Sequence, residues 1–262
     1  MNRIDETLNS LRAKGEKALG LFLTAGYPHL DSTADLVLAL EQGGADVIEI
    51  GMPFSDPLAD GPVIQQSSAA ALGNGVTLDT IFDDVRRIRK SSVIPVVLMG
   101  YLNPILRYGR EEFFRRASEA GVDGIILPEV PLEESTEFSS MLAGNGLAHI
   151  MLVTPASPGE RIREIDQRSS GFLYCVSSTG VTGSRSSTVA GEYLAHLRRH
   201  TGKNPLLVGF GIATPEDACI YSEQSDGVII GSALIRLIAS GASSSAVADW
   251  VRQFRNALRR VS

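Results

Sequence analysis

The chain has 262 residues, of which 44% are hydrophobic and 21% charged, and its formal net charge is −6. This composition excludes a disordered chain, because enough apolar surface is present to form a large core. The negative charge argues against a nucleic-acid partner, since binding to a phosphate backbone depends on clustered Lys and Arg. No uncharged apolar run approaches the ~18 residues of a membrane span, so no membrane partner is expected either.

Short apolar runs alternate along the chain with amphipathic helical patterns, which is typical of βαβ units and a parallel sheet. An extra helix is predicted first, over residues 4–14. Predicted strands follow at 19–24, 46–51, 94–99, 123–127, 149–153, 172–176, 206–209 and 226–230. The helices between them are indicated by apolar faces, as over residues 78–88, and by capping boxes predicted to begin at Ser157 and Thr214.

A weak internal repeat precedes three of these strands. A small residue and an Asp stand just before the apolar run at Asp46, Asp123 and Asp226. Eight βα units close most simply into a (β/α)8 TIM barrel, an α/β fold that we predict as a single domain over residues 1–262. A doubly wound sheet is the alternative, but its Gly-x-Gly-x-x-Gly turn is missing after the first strand.

A charged residue interrupts the second predicted strand. Glu49 stands within the apolar run 47–50, in a strand that a parallel barrel buries on both faces. An unpaired charge is costly there, and the pKa of the carboxyl is expected to rise. The carboxylate is either satisfied by a structural Arg or catalytic, and its place near the barrel mouth favours catalysis.

Two long loops are predicted at the barrel mouth. Residues 51–62 contain three prolines, which limit backbone freedom, and carry the carboxylates of Asp56 and Asp60. Either Asp could instead cap the helix that follows. Residues 177–187 are small and polar, as in a closing lid, although an idle surface loop can have the same composition.

Glycines follow the last two strands. Gly209 and Gly211 flank Phe210 after strand seven, and Gly231-Ser232 precede a short predicted helix at 233–238. Glycines let backbone N–H groups approach an anion, and a helix N-terminus completes such a site. Each glycine alone could serve a turn. Together with the lid glycine at 183, they predict a phosphate site.

The remaining side chains narrow the chemistry. None of the four lysines stands at the C-terminal end of a predicted strand, where a Schiff-base aldolase needs one. The four histidines do not cluster at metal-ligand spacings, so no metal is expected. The mechanism that remains is general acid–base catalysis, in which carboxylates act on a phosphorylated substrate.

Two features bear on the compartment. Cys175 and Cys219 form neither a disulfide framework nor a metal motif, which favours a reducing compartment. The first residues also lack the apolar core of a signal peptide. We therefore expect a cytoplasmic protein.

Four stretches carry a resemblance to a known family: FLTAGYP at 22–28, EIGMPFSDPLADGP at 49–62, GVTG at 180–183 and GFGI at 209–212. They resemble the tryptophan synthase α subunit family, and the similarity covers essentially the whole chain. The long second stretch is highly specific. The resemblance implies a lyase of tryptophan biosynthesis that splits indole-3-glycerol phosphate into indole and glyceraldehyde 3-phosphate by a retro-aldol reaction.

The resemblance also implies roles for individual residues. Glu49 would protonate indole C3 and take the proton of the glycerol hydroxyl, and Asp60 would accept a hydrogen bond from the indole N–H. Thr182 would help to position Asp60 when the lid closes. The implied substrate-binding residues are Phe22, Leu98, Ile126 and Tyr174 in the indole slot, Phe210, and Gly183, Gly211, Gly231 and Ser232 at the phosphate.

One position departs from the family pattern. Many members carry Arg two residues before the Gly of the GVTG stretch, where this chain has Ser178. Arg185 follows in the same loop. The departure bears on how firmly the lid loop becomes ordered, and it does not change the reaction that the resemblance implies.

A partner is implied as well. The α subunit is half of an α2β2 complex in which indole passes to a β subunit that contains pyridoxal phosphate, and no cofactor is expected in this chain. Pro53, Asp56, Asn103 and Pro104 would face that subunit.

Three alternatives stay open. The chain could be a free-standing indole-3-glycerol-phosphate lyase that needs no β subunit. It could be another phosphate-binding barrel enzyme of the same pathway, which the stretch at 49–62 fits poorly. It could also be a degenerate subunit that only activates its partner, against which the intact Glu49 and Asp60 argue.

Overall fold

The computed structural model describes residues 2–176, 187–209 and 211–260, without the side chains of 187–190. Within these residues eight parallel strands form a closed barrel in chain order, with the last strand paired to the first. The predicted barrel is confirmed. The strands are β1 (Ala18–Thr24), β2 (Val47–Gly51), β3 (Val96–Met99), β4 (Gly124–Ile126), β5 (Ala148–Val153), β6 (Leu173–Val176), β7 (Leu206–Gly209) and β8 (Gly227–Ile230).

Helices surround the barrel and fill the connections between strands. In the described part of the chain, no helix combines the length and apolarity needed to cross a membrane. The helices found there are α1 (Arg3–Ala13), α2 (Ser32–Gly43), α3 (Pro62–Gly73), α4 (Leu78–Arg89), α5 (Leu102–Tyr108), α6 (Arg110–Ala120), α7 (Ser135–Gly144), α8 (Gly159–Arg168), α9 (Ser187–His200), α10 (Pro215–Ser222), α11 (Ser232–Ala239) and α12 (Ser244–Leu258).

Alternation along the strands divides the core in two, because successive side chains point to opposite faces. One set packs between the strands and the helices; we call it the outer cluster, and it includes Leu21, Ile48 and Ile125. The other set, the interior cluster, fills the barrel. Its members are Ile4, Leu8, Leu11, Ala18, Phe22, Val47, Val97, Met99, Ile126, Ala148, Ile150, Phe172, Tyr174, Leu207, Ile229 and Ile235.

The extra helix α1 closes the N-terminal end of the barrel. Its buried face is formed by Ile4, Leu8 and Leu11, which belong to the interior cluster. Asn2 caps the helix, since its side chain accepts a hydrogen bond from the Ile4 N–H at 3.0 Å. The same side chain donates to the carbonyl oxygen of Asp123 at 2.6 Å, next to the start of β4. The opposite end of the barrel is therefore the one that remains for a site.

The internal Asp repeat has a structural explanation at this closed end. Each Asp stands just before an even-numbered strand, and its carboxylate accepts a hydrogen bond from the first part of the preceding odd-numbered strand. The pairs are Leu19 N–H to Asp46 at 2.7 Å, Val96 N–H to Asp123 at 2.8 Å, and Leu206 N–H to Asp226 at 2.7 Å. Between β5 and β6 a serine does the same, because Ser170 Oγ accepts from the His149 N–H at 2.9 Å. We call these four contacts strand-pair locks.

Asp123 is the most strongly held of the locking carboxylates, and its replacement is expected to destabilise the barrel. It is 3% exposed and pairs with Arg3 at 2.8 Å and Arg89 at 2.7 Å. Asp123→Asn leaves both guanidinium groups without their counter-ion, which costs about 3 kcal/mol of unfolding free energy. Urea denaturation should show a lower midpoint with an unchanged slope.

The exposed pair between Asp83 and Arg86 provides the matched control, at 2.6 Å on the surface of α4. Asp83→Asn should cost less than about 0.5 kcal/mol, because exposed ion pairs contribute little. Equal losses in the two variants would contradict the importance of the lock.

The two predicted capping boxes have different outcomes. The box at Thr214 is confirmed, because its hydroxyl accepts from the Asp217 N–H and the Asp217 carboxylate accepts from the Thr214 N–H. The box at Ser157 is wrong: α8 begins one residue later, with Pro158 as its N-cap. Ser157 Oγ instead accepts from the Thr154 N–H at 3.2 Å, which closes a turn before the helix.

Candidate active site

The strand register places Glu49 inside the barrel. It lies opposite Phe22 of β1 and Val97 of β3, both members of the interior cluster. Glu49 is 2% exposed, and neither carboxylate oxygen has a hydrogen-bond partner among the described residues. Burial raises the pKa of this carboxyl from 4.5 to about 8, and the charge of Asp60 contributes to the rise. Glu49 therefore retains its proton at neutral pH.

Asp60 approaches this carboxyl from the loop between β2 and α3. It does not cap the helix that follows, because Gly61 is the N-cap of α3 and no side chain bonds to that helix end. Partial burial raises the pKa of Asp60 to about 6, while a hydrogen bond with Tyr101 opposes the rise. The site thus combines one carboxyl that is protonated at pH 7 with one that is largely ionised.

Two aromatic rings stand at the mouth of the barrel, and each requires a neighbouring glycine. A Cβ atom at Gly51 would lie 2.5 Å from Cζ of Phe22, and one at Gly209 would collide with the Tyr174 hydroxyl. Burial raises the pKa of Tyr174 well above 10, and the neighbouring carboxyls of Glu49 and Asp60 contribute to the rise. Phe22 and Tyr174 therefore lie in the same small space as the two carboxyls.

The structure corrects one member of the predicted indole slot. Leu98 belongs to the outer cluster and is in register with Ile50 and Ile125, so its side chain points toward the helices. Met99, the next residue, belongs to the interior cluster and is in register with Ile126. Leu98 therefore faces away from the barrel interior, whereas Met99 and Ile126 both lie inside it.

Sequence reasoning also missed two residues at strand ends. Leu152 of β5 and Val176 of β6 are partly buried and pack against the interior cluster, with Leu152 in register with Tyr174. Because these strands are nearly continuous apolar runs, they show no alternation that separates the inner face from the outer one. Counting in steps of two from Glu49 could identify Val47 as an inner residue, but the register is needed for the other strands.

Three of the predicted phosphate residues, Gly211, Gly231 and Ser232, lie at the same end of the barrel. Gly231 is the N-cap of α11, Ser232 is its first residue, and no side chain caps the helix. The first N–H groups of a helix lack intrahelical acceptors and attract an anion. A Cβ atom at Gly231 would lie 3.4 Å from Phe22, so this helix end adjoins the aromatic slot. Gly211 has the left-handed φ of 78°, which favours glycine.

Several predicted residues fall outside the described part of the chain: Ser178, Thr182, Gly183, Arg185 and Phe210. Their assignments stay predictions.

The residues predicted to face a partner surround the mouth. Asp56 and Asn103 are exposed, and Pro53 and Pro104 are half-buried. The loop after β2 and the start of α5 adjoin each other, since the ring centroids of Phe54 and Tyr101 are 5.3 Å apart. Leu58, at the tip of the loop, is 93% exposed.

Other reactive side chains lie elsewhere. All four lysines are described, and each stands on or beside a helix or before a strand rather than after one. The rings of His196 and His200 are neighbours on α9, with centroids 4.6 Å apart and planes inclined by 52°. Over residues 2–176, 187–209 and 211–260, no group of His, Cys, Asp and Glu is arranged to hold a metal ion. Both cysteines are free, Cys175 buried in β6 and Cys219 on α10.

A closed (β/α)8 barrel with two carboxyls of raised pKa in an apolar interior is typical of a barrel enzyme that uses acid–base chemistry. A family model for the tryptophan synthase alpha chain matches residues 8–259. The chain belongs to the tryptophan synthase alpha chain family, a family of lyases that cleave indole-3-glycerol phosphate in tryptophan biosynthesis.

Individual relatives are similar over most or all of their length. The alpha chain of a Thermoanaerobacter species is 44% identical over 263 residues, covering 100% of both chains. That of Citrifermentans bemidjiense is 49% identical over 238 residues, covering 90% of this chain and 89% of the relative.

Solved structures show the same similarity. Subunit alpha from Legionella pneumophila superposes with a TM-score of 0.91 at 41% identity, over 99% of each chain. Ligand-free tryptophan synthase from M. tuberculosis gives a TM-score of 0.89 at 30% identity, over 99% of this chain and 100% of the other.

Proposed function

We propose that this chain cleaves indole-3-glycerol phosphate with Glu49 as the acid and base and Asp60 as the electrostatic stabiliser. The observation that carries this proposal is the contrast between the two carboxyls. Burial raises the pKa of Glu49 to about 8 and that of Asp60 to about 6, so that between these values one holds a proton and the other a charge. Pairs of groups whose environments separate their pKa values supply acid and base assignments.

The first step transfers a proton from the Glu49 carboxyl to indole C3. The ring then carries a positive charge, which is shared with the indole nitrogen. Asp60 accepts a hydrogen bond from the indole N–H and stabilises that charge as it develops, in a site where burial strengthens electrostatic interactions.

The second step breaks the carbon–carbon bond. The Glu49 carboxylate, which has given up its proton, takes the proton of the glycerol hydroxyl. The electrons of that O–H bond form the carbonyl of glyceraldehyde 3-phosphate, and the electrons of the breaking bond return to the ring and restore indole. Glu49 regains its proton, so the cycle closes without a net change in the protein.

Binding follows the division of the site into an apolar and a polar part. Phe22, Met99, Ile126 and Tyr174 would enclose the indole ring, all of them in the interior cluster. The phosphate would lie at Gly211 and at the uncapped start of α11. The N-terminal end of α11 adjoins Phe22, so the indole site and the phosphate site are close enough for one substrate to occupy both.

A tryptophan synthase β subunit is the proposed partner, in an α2β2 complex. Support comes from the exposed surface around the mouth, where Asp56, Leu58 and Asn103 are all exposed. Indole released there would enter the partner directly. We propose no cofactor for this chain and place pyridoxal phosphate in the β subunit.

We also propose a cytoplasmic location. Both cysteines are free thiols, a state that a reducing compartment maintains.

The experiment that tests the function measures indole release from indole-3-glycerol phosphate by the purified chain, alone and with a β subunit. Slow release alone and strong acceleration by β supports the subunit proposal. Fast release that β does not change supports a free-standing lyase instead. No release under either condition supports a degenerate subunit.

The activity is expected to follow a bell-shaped pH profile. Activity should fall below pH about 6, where Asp60 becomes protonated and loses its charge. It should fall again above pH about 8, where Glu49 ionises and can no longer donate a proton. Measurement of kcat/KM from pH 5 to pH 9.5 checks both limbs, and a flat profile across this range would contradict the assignment.

A further inference from the structure

We propose that Tyr101 is a positioning residue for Asp60: its hydroxyl holds the end of the loop between β2 and α3, so that the Asp60 carboxylate faces the indole slot. This inference rests on the proposed role of Asp60. Tyr101 itself is 5% exposed and stands just after β3, between Gly100 and the start of α5.

Tyr101 contacts the loop at three points. Its hydroxyl oxygen accepts a hydrogen bond from the Ala59 N–H at 2.9 Å. The same hydroxyl also acts on the Asp60 carboxyl and lowers its pKa. Its ring packs against Phe54, with the ring planes inclined by 33°. One side chain therefore fixes the backbone before Asp60 and also acts on the Asp60 carboxyl.

The anchor of Tyr101 is rigid because its own backbone is held by the barrel. The Gly100 N–H donates to the carbonyl oxygen of Ile126 at 3.2 Å, at the end of β4. The Leu102 N–H, which follows Tyr101, donates to the Glu129 carboxylate. Tyr101 is thus fixed on both sides by residues of the neighbouring βα unit.

The loop has a second attachment to β3 at its start, where the Met52 N–H donates to the carbonyl oxygen of Met99 at 2.7 Å. Gln65 donates to the carbonyl oxygen of Asp60 at 2.9 Å, a contact that fixes the backbone and does not involve the carboxylate. The Tyr101 hydroxyl, in contrast, acts on the carboxyl itself.

The effect of the Tyr101 hydroxyl on Asp60 can be measured as a change in the pKa of Asp60. The titratable groups that act on Asp60 and its hydroxyl partner are Glu49 of β2, Tyr174 of β6 and Glu129 after β4. Burial raises the pKa of Tyr101 to about 12, so the phenol keeps its proton and can act as a hydrogen-bond donor toward the carboxylate. Loss of this donor removes a contact that lowers the pKa of Asp60, and the pKa of Asp60 rises.

Tyr101→Phe tests the proposal, because it keeps the ring against Phe54 and removes only the hydroxyl. We expect kcat to fall about tenfold to a hundredfold, the usual effect of losing a hydrogen bond to a charged group, with little change in KM. The acidic limb of the pH profile should move upward by roughly one unit. Wild-type kcat with an unmoved acidic limb would overturn the proposal.

Tyr108→Phe is the matched control. Tyr108 stands at the other end of α5, and its hydroxyl donates to the Asp79 carboxylate at 2.7 Å on the surface. This variant also loses a hydroxyl that bonds a carboxylate, but kcat and the pH profile should stay at wild-type values. An equal loss in both variants would mean that α5 was disturbed generally, and would overturn the specific role of Tyr101.

Asp60→Asn measured in parallel separates this inference from the function on which it rests. If Asp60→Asn keeps full activity, the role of Asp60 is wrong and the positioning role falls with it. If Asp60→Asn is impaired while Tyr101→Phe is not, only the positioning role is wrong. In the double variant, Tyr101→Phe should add no further loss to Asp60→Asn, whereas additive losses would show a merely structural effect and overturn the proposal.

Discussion

Glu49→Gln is expected to lower the rate of indole release by roughly 10⁴-fold, the upper range for removal of a general acid–base group. The same carboxyl serves both proposed proton transfers, and an amide can perform neither. Substrate binding should persist, because the phosphate and indole contacts lie on other residues. The measurement is indole release at saturating substrate together with the dissociation constant of a substrate analogue that cannot be cleaved.

The same variant should be more stable than the wild type at alkaline pH. The pKa of Glu49 is about 8 in the folded chain against 4.5 for an ordinary glutamate, so the folded state holds a proton that the unfolded state has released. Wild-type stability therefore falls as the pH rises from 4.5 to 8 and then levels off. The measured quantity is the unfolding free energy of the Gln variant minus that of the wild type. Between pH 4.5 and a pH above 8, this difference should shift by roughly 4 kcal/mol in favour of the variant.

Glu111→Gln serves as the control, since Glu111 is exposed on the first turn of α6. It should change neither indole release nor the pH dependence of unfolding. If Glu49→Gln released indole at the wild-type rate, the catalytic assignment of Glu49 would be wrong. If its unfolding free energy followed the wild-type pH dependence, the buried position of the carboxyl would be in question.

Asp60→Asn is expected to cost about 10²- to 10³-fold in kcat, the typical effect of removing one preorganised electrostatic contact. The amide oxygen can still accept a hydrogen bond from the indole N–H, but it carries no charge to stabilise the protonated ring. KM should change little, because the charge on the substrate appears only after the first proton transfer. The acidic limb near pH 6 should also disappear, since the group that titrates there is gone.

Steady-state kinetics from pH 5 to pH 9.5 check this result. Asp83→Asn is the matched control, because Asp83 lies on the surface of α4, where it pairs with Arg86. A similar loss in both variants, or an acidic limb that persists in Asp60→Asn, would contradict the assignment of Asp60.

The strands could be predicted from the sequence because each is a short apolar run between helical patterns, and closure followed from their number. Whether an individual side chain faces the barrel interior or the helices could not be predicted from the sequence. Leu98 and Met99 are both apolar and both buried, and only the pairing of β3 with β2 shows which one shares the inner face with Glu49. The error at Leu98 therefore comes from register rather than from the choice of strand.

The site residues also divide into those that the sequence could identify and those that required the structure. Glu49 was identifiable because a charge in a buried strand conflicts with the pattern around it. Tyr101 gave no such signal, since a tyrosine after a strand is ordinary and its importance depends on contacts with residues 54–60. A residue whose own side chain performs the chemistry can be recognised in the sequence. A residue that positions another side chain can be recognised only when the fold shows its contacts.

The four strand-pair locks join β1 to β2, β3 to β4, β5 to β6 and β7 to β8, and never an even strand to the next odd one. The locks therefore group the eight strands into four pairs, and we call each pair with its helices a module. A chain divided between β4 and β5 would separate whole modules, with every lock intact on one side or the other. A division between β3 and β4 would take Asp123 away from Val96 and leave both half-chains with an incomplete module. The same boundaries mark where segments could be exchanged with a related barrel.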